Sequence, residues 1–216
     1  MVLAPENARR AEVMRVFERY LVEIVEAYDL CPWARSARLH GEVAAEVVWG
    51  TPSLEEWVAT AQALLVRPET RVAMVIAPEL SVTPSDLRGI RAEVTRRIPS
   101  AGIADFHPAA ELDLTTPARL VPFVRRTPDP LIQLVPLALL ESVRVVAPQP
   151  SLAEQAQMLD GTAPPPKLDV GDRIAAANHA TVSAVRADIL AKLADIAADR
   201  DASYARAGIA NTSPRP

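Results

Sequence analysis

The chain has 216 residues, of which 50% are hydrophobic and 23% are charged, a composition typical of a folded globular protein rather than a disordered one. Its formal net charge is -4 and its basic residues are spread along the chain, so we expect neither nucleic acid nor a membrane as a partner. The first ten residues lack a signal-peptide pattern, and the chain has a single cysteine, which together predict a cytoplasmic protein.

The first predicted element is an amphipathic helix. Apolar residues recur at helical spacing from Ala11 to Tyr28, with charged residues between them. This helix should end before Cys31, because Pro32 disfavours helical geometry at the residue that precedes it. A lone cysteine cannot form an internal disulfide or a CxxC redox pair. Cys31 is therefore a nucleophile, a metal or haem ligand, or a buried packing residue.

The central part of the chain alternates between strand and helix patterns. Strands are predicted at 43–49, 71–77 and 101–106, and helices at 54–66 and 85–98. This order predicts an α/β fold with a sheet of three or four strands, parallel or ferredoxin-like mixed, and helices packed on it. Neither a GxGxxG nor a GxxxxGK[ST] sequence is present, so we expect neither NAD nor ATP as a cofactor.

The second half of the chain is richer in proline. Residues 108–130 show no steady period and are predicted to form a long loop, of a length that is often functional. Residues 131–146 are strongly apolar and are predicted as a buried helix that turns into a strand. A long Ala-rich helix follows over 170–200. The prediction is thus one α/β domain over 1–200, with a disordered tail over 201–216.

Two stretches contain residues suited to ligand binding. His107 follows the third predicted strand, and ligands of open α/β sheets bind beyond the carboxyl ends of the strands. Arg125 and Arg126 precede a predicted helix start capped by Thr127 or Asp129, where free N–H groups and guanidinium groups favour a carboxylate or phosphate. Each pattern also has a purely structural interpretation, a satisfied turn for the histidine and a capped helix with solvated arginines for the second stretch.

Three short motifs occur in a fixed order along the chain. They are Leu30-Cys31-Pro32-Trp33-Ala34, Phe106-His107-Pro108 and Arg126-Thr127-Pro128-Asp129-Pro130. Together they resemble the bacterial domain-of-unknown-function family 1415, whose motifs are L-C-P-[FW]-A, F-H-P and N-R-S-P-x-P. The segment from Ala177-Asn178 to Thr181 is similar to a later Asn-rich helical segment of that family. The resemblance covers about residues 17–185.

The chain also departs from that family pattern. The family's Asn and Ser are replaced by Arg125 and Thr127, and its frequent His and Arg in the following helix are replaced by Gln133 and Pro136. The chain thus resembles a divergent member. The resemblance implies that Cys31, His107 and Arg126 belong to one site, but it implies no particular reaction.

Our leading hypothesis is an enzyme whose pocket is built from Cys31, His107 and Arg126. Further substrate-binding candidates are Trp33, Arg125, Thr127 and Asn178. The favoured chemistry is a metal- or haem-dependent oxidoreductase acting on an anionic small molecule, with His107 and Cys31 as ligands of iron or haem. One alternative is a transferase, hydrolase or isomerase in which His107 activates Cys31 as a nucleophile. Another is a non-enzymatic binding or scaffold protein. The sequence gives no indication of oligomeric state.

Overall fold

A mixed β-sheet forms the centre of the computed structural model, which describes residues 4–143 and 170–211. The strands are β1 (Val43–Val47), β2 (Val72–Ile76), β3 (Ala101–Phe106) and β4 (Leu131–Pro136). The α-helices are α1 (Glu6–Tyr20), α2 (Ala34–Leu39), α3 (Leu54–Leu65), α4 (Pro84–Arg97), α5 (Pro117–Val124), α6 (Leu137–Val143) and α7 (Val170–Ala207). The predicted α/β class and the long carboxyl-terminal helix are confirmed.

The sheet has the strand order β1-β2-β4-β3 among the described residues. β1 and β2 are parallel, and β4 lies antiparallel between β2 and β3. The mixed alternative is therefore correct and the all-parallel one is wrong. A strand paired on both sides needs an apolar run of only a few residues, and Leu131, Ile132 and Leu134 supply it.

Residues 131–146 were predicted as a helix followed by a strand, and the described part of this stretch has the reverse order. β4 comes first and α6 follows it, while residues 144–146 lie outside the described part. Pro136 occupies the last position of β4, where a missing N–H donor interrupts the pairing least. Apolar periodicity cannot distinguish a central strand from a buried helix over so short a run, and this ambiguity accounts for the error.

Each face of the sheet packs against its own set of helices. Side chains alternate along β2, so that Met74 and Ile76 join the core formed with α1, α5 and α7. Ala73 and Val75 point to the opposite face and join the core formed with α3 and α4. Both α3 and α4 begin with a capping box, Ser53 with Glu56 and Thr83 with Asp86.

The amino-terminal helix ends in an unusual way. α1 continues into a π-helix over Leu21–Glu26, closed by backbone bonds from Ala27 to Val22 and from Leu30 to Val25. Asp29 then adopts a positive φ of 51°, which turns the chain away from the helix axis. The predicted end before Cys31 is thus observed, and the turn at Asp29 already precedes Pro32.

Two predictions about irregular segments are wrong for the described residues. The expected loop over 108–130 contains α5, which is capped by the hydroxyl of Thr116 and starts with Pro117. The expected tail from residue 201 contains the last turns of α7, because Tyr204 and Ile209 are buried in the core. Residues 212–216 lie outside the described part. Across the described ranges no helix combines the length and apolar character needed to cross a membrane.

Candidate functional site

A cavity of about 790 Å³ lies between one face of the sheet and the helices that cover it. Most of its lining side chains are apolar and come from the π-helix, α5, α6, α7 and strands β1, β2 and β4. Five of the polar side chains that line it are Cys31, Arg125, Thr127, Gln133 and Asn178. An apolar cavity with few polar groups is the usual form of a small-molecule site.

Asn178 and Cys31 are brought together at one end of this cavity. The buried amide Nδ2 of Asn178 donates a hydrogen bond to the carbonyl oxygen of Leu30 at 3.1 Å. This contact ties α7 to the turn that holds Cys31. The indole of Trp33, 45% exposed, also lines the cavity. The predicted substrate-binding residues Trp33 and Asn178 therefore share the cavity with the cysteine.

The thiol of Cys31 lies in a largely apolar setting. Burial raises its pKa, and hydrogen bonds from the backbone N–H groups of Trp33 and Ala34 oppose this effect only in part. Among the described residues, no basic side chain forms a hydrogen bond with the thiol. Because only the thiolate is strongly nucleophilic, this environment keeps Cys31 protonated and poorly reactive at neutral pH.

His107 does not line the cavity that contains Cys31, where the sequence predicted it. Its ring Nδ1 accepts a hydrogen bond from the backbone N–H of Ala109 at 3.0 Å, so the proton resides on Nε2, which donates to the carbonyl of Val82 at 3.0 Å. The ring is only 3% exposed, and burial lowers its pKa. Both nitrogens of this neutral imidazole are thus engaged by the backbone, as in the structural interpretation of the motif.

The stretch from Arg125 to Asp129 leads into a strand rather than a helix. The predicted helix cap at Thr127 or Asp129 is therefore wrong, because the element that follows is strand β4. The hydroxyl of Thr127 instead donates to the carbonyl of Asp129 at 2.7 Å, closing a tight turn before β4. Residues such as Thr and Asp favour turns and helix caps alike, so the motif alone could not separate the two.

Arg125 and Arg126 are neighbours with different surroundings. The half-buried guanidinium of Arg125 lies 5.9 Å from the ring centre of Phe106 and lines the cavity. Within the described residues neither arginine has a carboxylate within ion-pair distance, and burial lowers the pKa of both. Arg126 lines neither the cavity nor the second cleft described next. Of the two neighbouring arginines, Arg125 is thus the one that lines the cavity.

A second, more polar cleft of about 770 Å³ lies beside α4 and the end of β3. His107 lines this cleft, whereas Cys31 lines the apolar cavity. The structure therefore does not bring Cys31, His107 and Arg126 into one cavity. Alternation at the end of β3 explains the separation, since Phe106 lines the cavity while Asp105 and His107 line the cleft.

A buried polar network near this site was not predicted. Asp129, 2% exposed, accepts hydrogen bonds from Arg200 Nε at 2.7 Å and from the Tyr204 hydroxyl at 2.6 Å. Arg200 also donates to the carbonyl of Pro78 at 3.1 Å. One feature of the sequence indicates this network. Ile196, Arg200 and Tyr204 are spaced by four residues and therefore share a face of α7. The network fixes the segment that carries Arg125 against the last turns of that helix.

The described residues contain no group of three or more His, Cys, Asp or Glu side chains arranged to hold a metal ion. Of the two predicted metal or haem ligands, Cys31 lines the cavity and His107 does not. Of these two predicted ligands, only Cys31 could therefore reach a haem in the cavity, which His40 also lines.

Comparison of the chain with protein-family models, with curated proteins and with solved structures finds no match in any of the three. The resemblance to family 1415 therefore stays a prediction.

Proposed function

We propose that the protein binds an apolar small molecule carrying an anionic group, which is held in the cavity by Arg125. The observation that carries this proposal is a half-buried guanidinium on the wall of a mainly apolar cavity, with no carboxylate within ion-pair distance among the described residues. A buried cation without a counter-ion is costly, and a ligand anion would relieve that cost. Arg71 also lines the cavity but is paired with Glu42 at 2.8 Å, so the apolar surface and the guanidinium of Arg125 together favour an organic acid.

The dimensions of the cavity support a ligand of moderate size. Its volume of about 790 Å³ falls in the range typical of small-molecule sites, about 300–1,000 Å³. Leu120, Val121 and Val124 of α5 present an apolar wall next to Arg125. The chain of an aliphatic acid would bury its methylenes there at about 0.8 kcal/mol each, while its carboxylate meets the guanidinium.

A second candidate, haem binding, is favoured by the position of Cys31. The thiol lines the same apolar cavity as Arg125, so an iron porphyrin could be ligated by the sulfur while a propionate pairs with the guanidinium. When bound, haem would supply redox chemistry, and this retains the oxidoreductase hypothesis without His107. Titration with hemin tests it, because thiolate ligation gives a Soret signature that Cys31→Ser must abolish and His107→Gln must leave intact.

Isothermal titration with dodecanoate, and with dodecanol as the uncharged control, tests the first candidate. We expect dodecanoate to bind at one site and dodecanol to bind more weakly. Arg125→Met should weaken dodecanoate binding by about 10- to 150-fold, the equivalent of about 1.5–3 kcal/mol for one charged hydrogen bond. Binding of dodecanol should not change.

The neighbouring arginine provides the matched control. Arg126→Met removes the same charge at the next residue, whose side chain lines neither the cavity nor the cleft. Dodecanoate affinity should therefore stay within about twofold of wild type. A further variant, Val121→Trp, should fill part of the cavity and weaken both probes. Equal loss in the two arginine variants would reject the proposed function, and so would a wild type that binds no anionic amphiphile.

A further inference from the structure

Arg125 is shared by the apolar cavity and the polar cleft. Within the described residues it is the one side chain that lines both spaces. Helix α5 contributes to both walls, with Leu120 and Val121 on the cavity side and Arg119 and Pro122 on the cleft side. A ligand whose apolar part fills the cavity would therefore place its charged end where the cleft begins.

Four arginine side chains line the cleft, more than a single carboxylate would pair with. It is lined by Arg88, Arg91, Arg119 and Arg125 and by the acids Asp105, Glu111 and Asp113. Two of these arginines are already paired, Arg91 with Asp105 at 3.2 Å and Arg119 with Asp113 at 3.3 Å. Glu111 is exposed to solvent.

Two arginines of the cleft, Arg88 and Arg125, form no ion pair among the described residues, although Asp105 attracts the charge of Arg125. Arg88 donates to the carbonyl of Pro84 at 3.3 Å, and within the described residues neither it nor Arg125 has a carboxylate within ion-pair distance. The N-terminus of α4 also borders the cleft, but Thr83 and Asp86 cap it internally, so it does not supply the binding charge. The positive charge available to a ligand is thus that of two guanidinium groups that line the same cleft.

We propose that the ligand is an amphiphile with a phosphate monoester as its head group, bound between Arg88 and Arg125 with its apolar chain in the cavity. This proposal rests on the proposed function and narrows its ligand class. A phosphate monoester carries about 1.5–2 negative charges at pH 7 and matches two guanidinium groups, whereas a carboxylate uses one. Arginine is also the side chain best suited to such bidentate contacts.

Dodecyl phosphate and dodecanoate, which share a chain and differ in head group, test this preference by calorimetry. Wild-type protein should bind the phosphate about tenfold more tightly, the gain expected from one additional charged contact. Arg88→Gln should remove that advantage and leave dodecanoate affinity unchanged, because Arg88 lies in the cleft and not in the cavity. Arg96→Gln, on the same helix but outside both spaces, is the control and should change neither affinity.

The outcomes separate this inference from the proposed function. If both probes bind with equal affinity, or if Arg88→Gln weakens both equally, the phosphate assignment is wrong while anion binding stands. If neither probe binds, the proposed function itself fails and the phosphate assignment fails with it. Because Arg88 is exposed, its substitution should not affect folding, and thermal unfolding of each variant checks this.

Discussion

Replacement of Arg125 by methionine should stabilise the ligand-free protein while it weakens anion binding. Methionine preserves the length and flexibility of the apolar part of the side chain and removes the charge. Burial lowers the pKa of this guanidinium more than the attraction of Asp105 raises it, so burial disfavours the charged form in the folded state. The site would therefore hold a group that serves the ligand at the expense of stability, as binding sites often do.

The expected magnitude follows from the surroundings of the side chain. A fully buried unpaired charge costs several kcal/mol, and we reduce this to about 1.5 kcal/mol because Arg125 keeps part of its contact with solvent. Loss of the contact with Phe106, at 5.9 Å, gives back about 0.5 kcal/mol. The net gain of about 1 kcal/mol corresponds to a rise in Tm of about 2–4 °C for a chain of this size.

Differential scanning calorimetry without and with dodecanoate measures both effects. Without ligand, Arg125→Met should unfold at a higher temperature than the wild type. The order should reverse at saturating ligand, because a ligand at 100 times its Kd stabilises the wild type by about 2.7 kcal/mol. Arg126→Met should also rise in Tm without ligand yet keep the wild-type response to dodecanoate. A fall in Tm for Arg125→Met would contradict this expectation, since it would mean that the attractions to Phe106 and Asp105 outweigh the cost of burying the charge.

Three further predictions concern the residues around the site. The folded pKa of His107 lies below its ordinary value of 6.5. The stability that the neutral ring contributes is therefore complete above pH 6.5 and is lost as the pH falls from there towards the folded pKa. Urea unfolding should show that His107→Gln loses less stability than the wild type over this pH range. Tyr204→Phe removes a buried donor to Asp129 and should cost about 1.5–3 kcal/mol, against less than about 1 kcal/mol for the exposed pair broken by Tyr28→Phe. A disulfide reagent should label Cys31 more slowly than a free thiol, and dodecanoate should slow it further; fast, ligand-independent labelling would place the thiol outside the site.

The parts of the fold that followed from the sequence were those with an unambiguous local pattern. The first three strands and the helices between them combine apolar runs with cap residues such as Ser53 and Thr83, and the structure has them within two residues of the predicted positions. β4 was missed because its short apolar run suits a helix equally well. Its identity is decided by pairing with β2 and β3, and such long-range contacts leave no local signal.

The candidate site was only partly predictable for a related reason. Cys31, Trp33, Arg125, Thr127 and Asn178 were all candidates from the sequence, and the structure places all five on one cavity. The grouping of His107 and Arg126 with them depended on the order of motifs along the chain. Motif order does not specify the face of the sheet to which a side chain points. Adjacent residues of a strand point to opposite faces, so two residues of one motif can line different spaces.

The buried network of Asp129 shows what motif reasoning leaves out. Its partners Arg200 and Tyr204 lie more than seventy positions further along the chain and close onto the carboxylate only after α7 has packed. A charged residue on the buried face of a helix is the available clue, and its partner cannot be named without the fold. This network holds the segment of Arg125 in place.

The central claim is that Arg125 receives the anionic group of an apolar ligand. Nitrogen-15 NMR of the arginine Nε–Hε groups, with the two signals assigned through Arg125→Met and Arg126→Met, tests it directly during titration with dodecanoate. If Arg125 binds the anion, its signal should shift strongly and saturate with the calorimetric binding curve, while the Arg126 signal stays in place. An Arg125 signal that does not move when the protein is saturated with dodecanoate would contradict it.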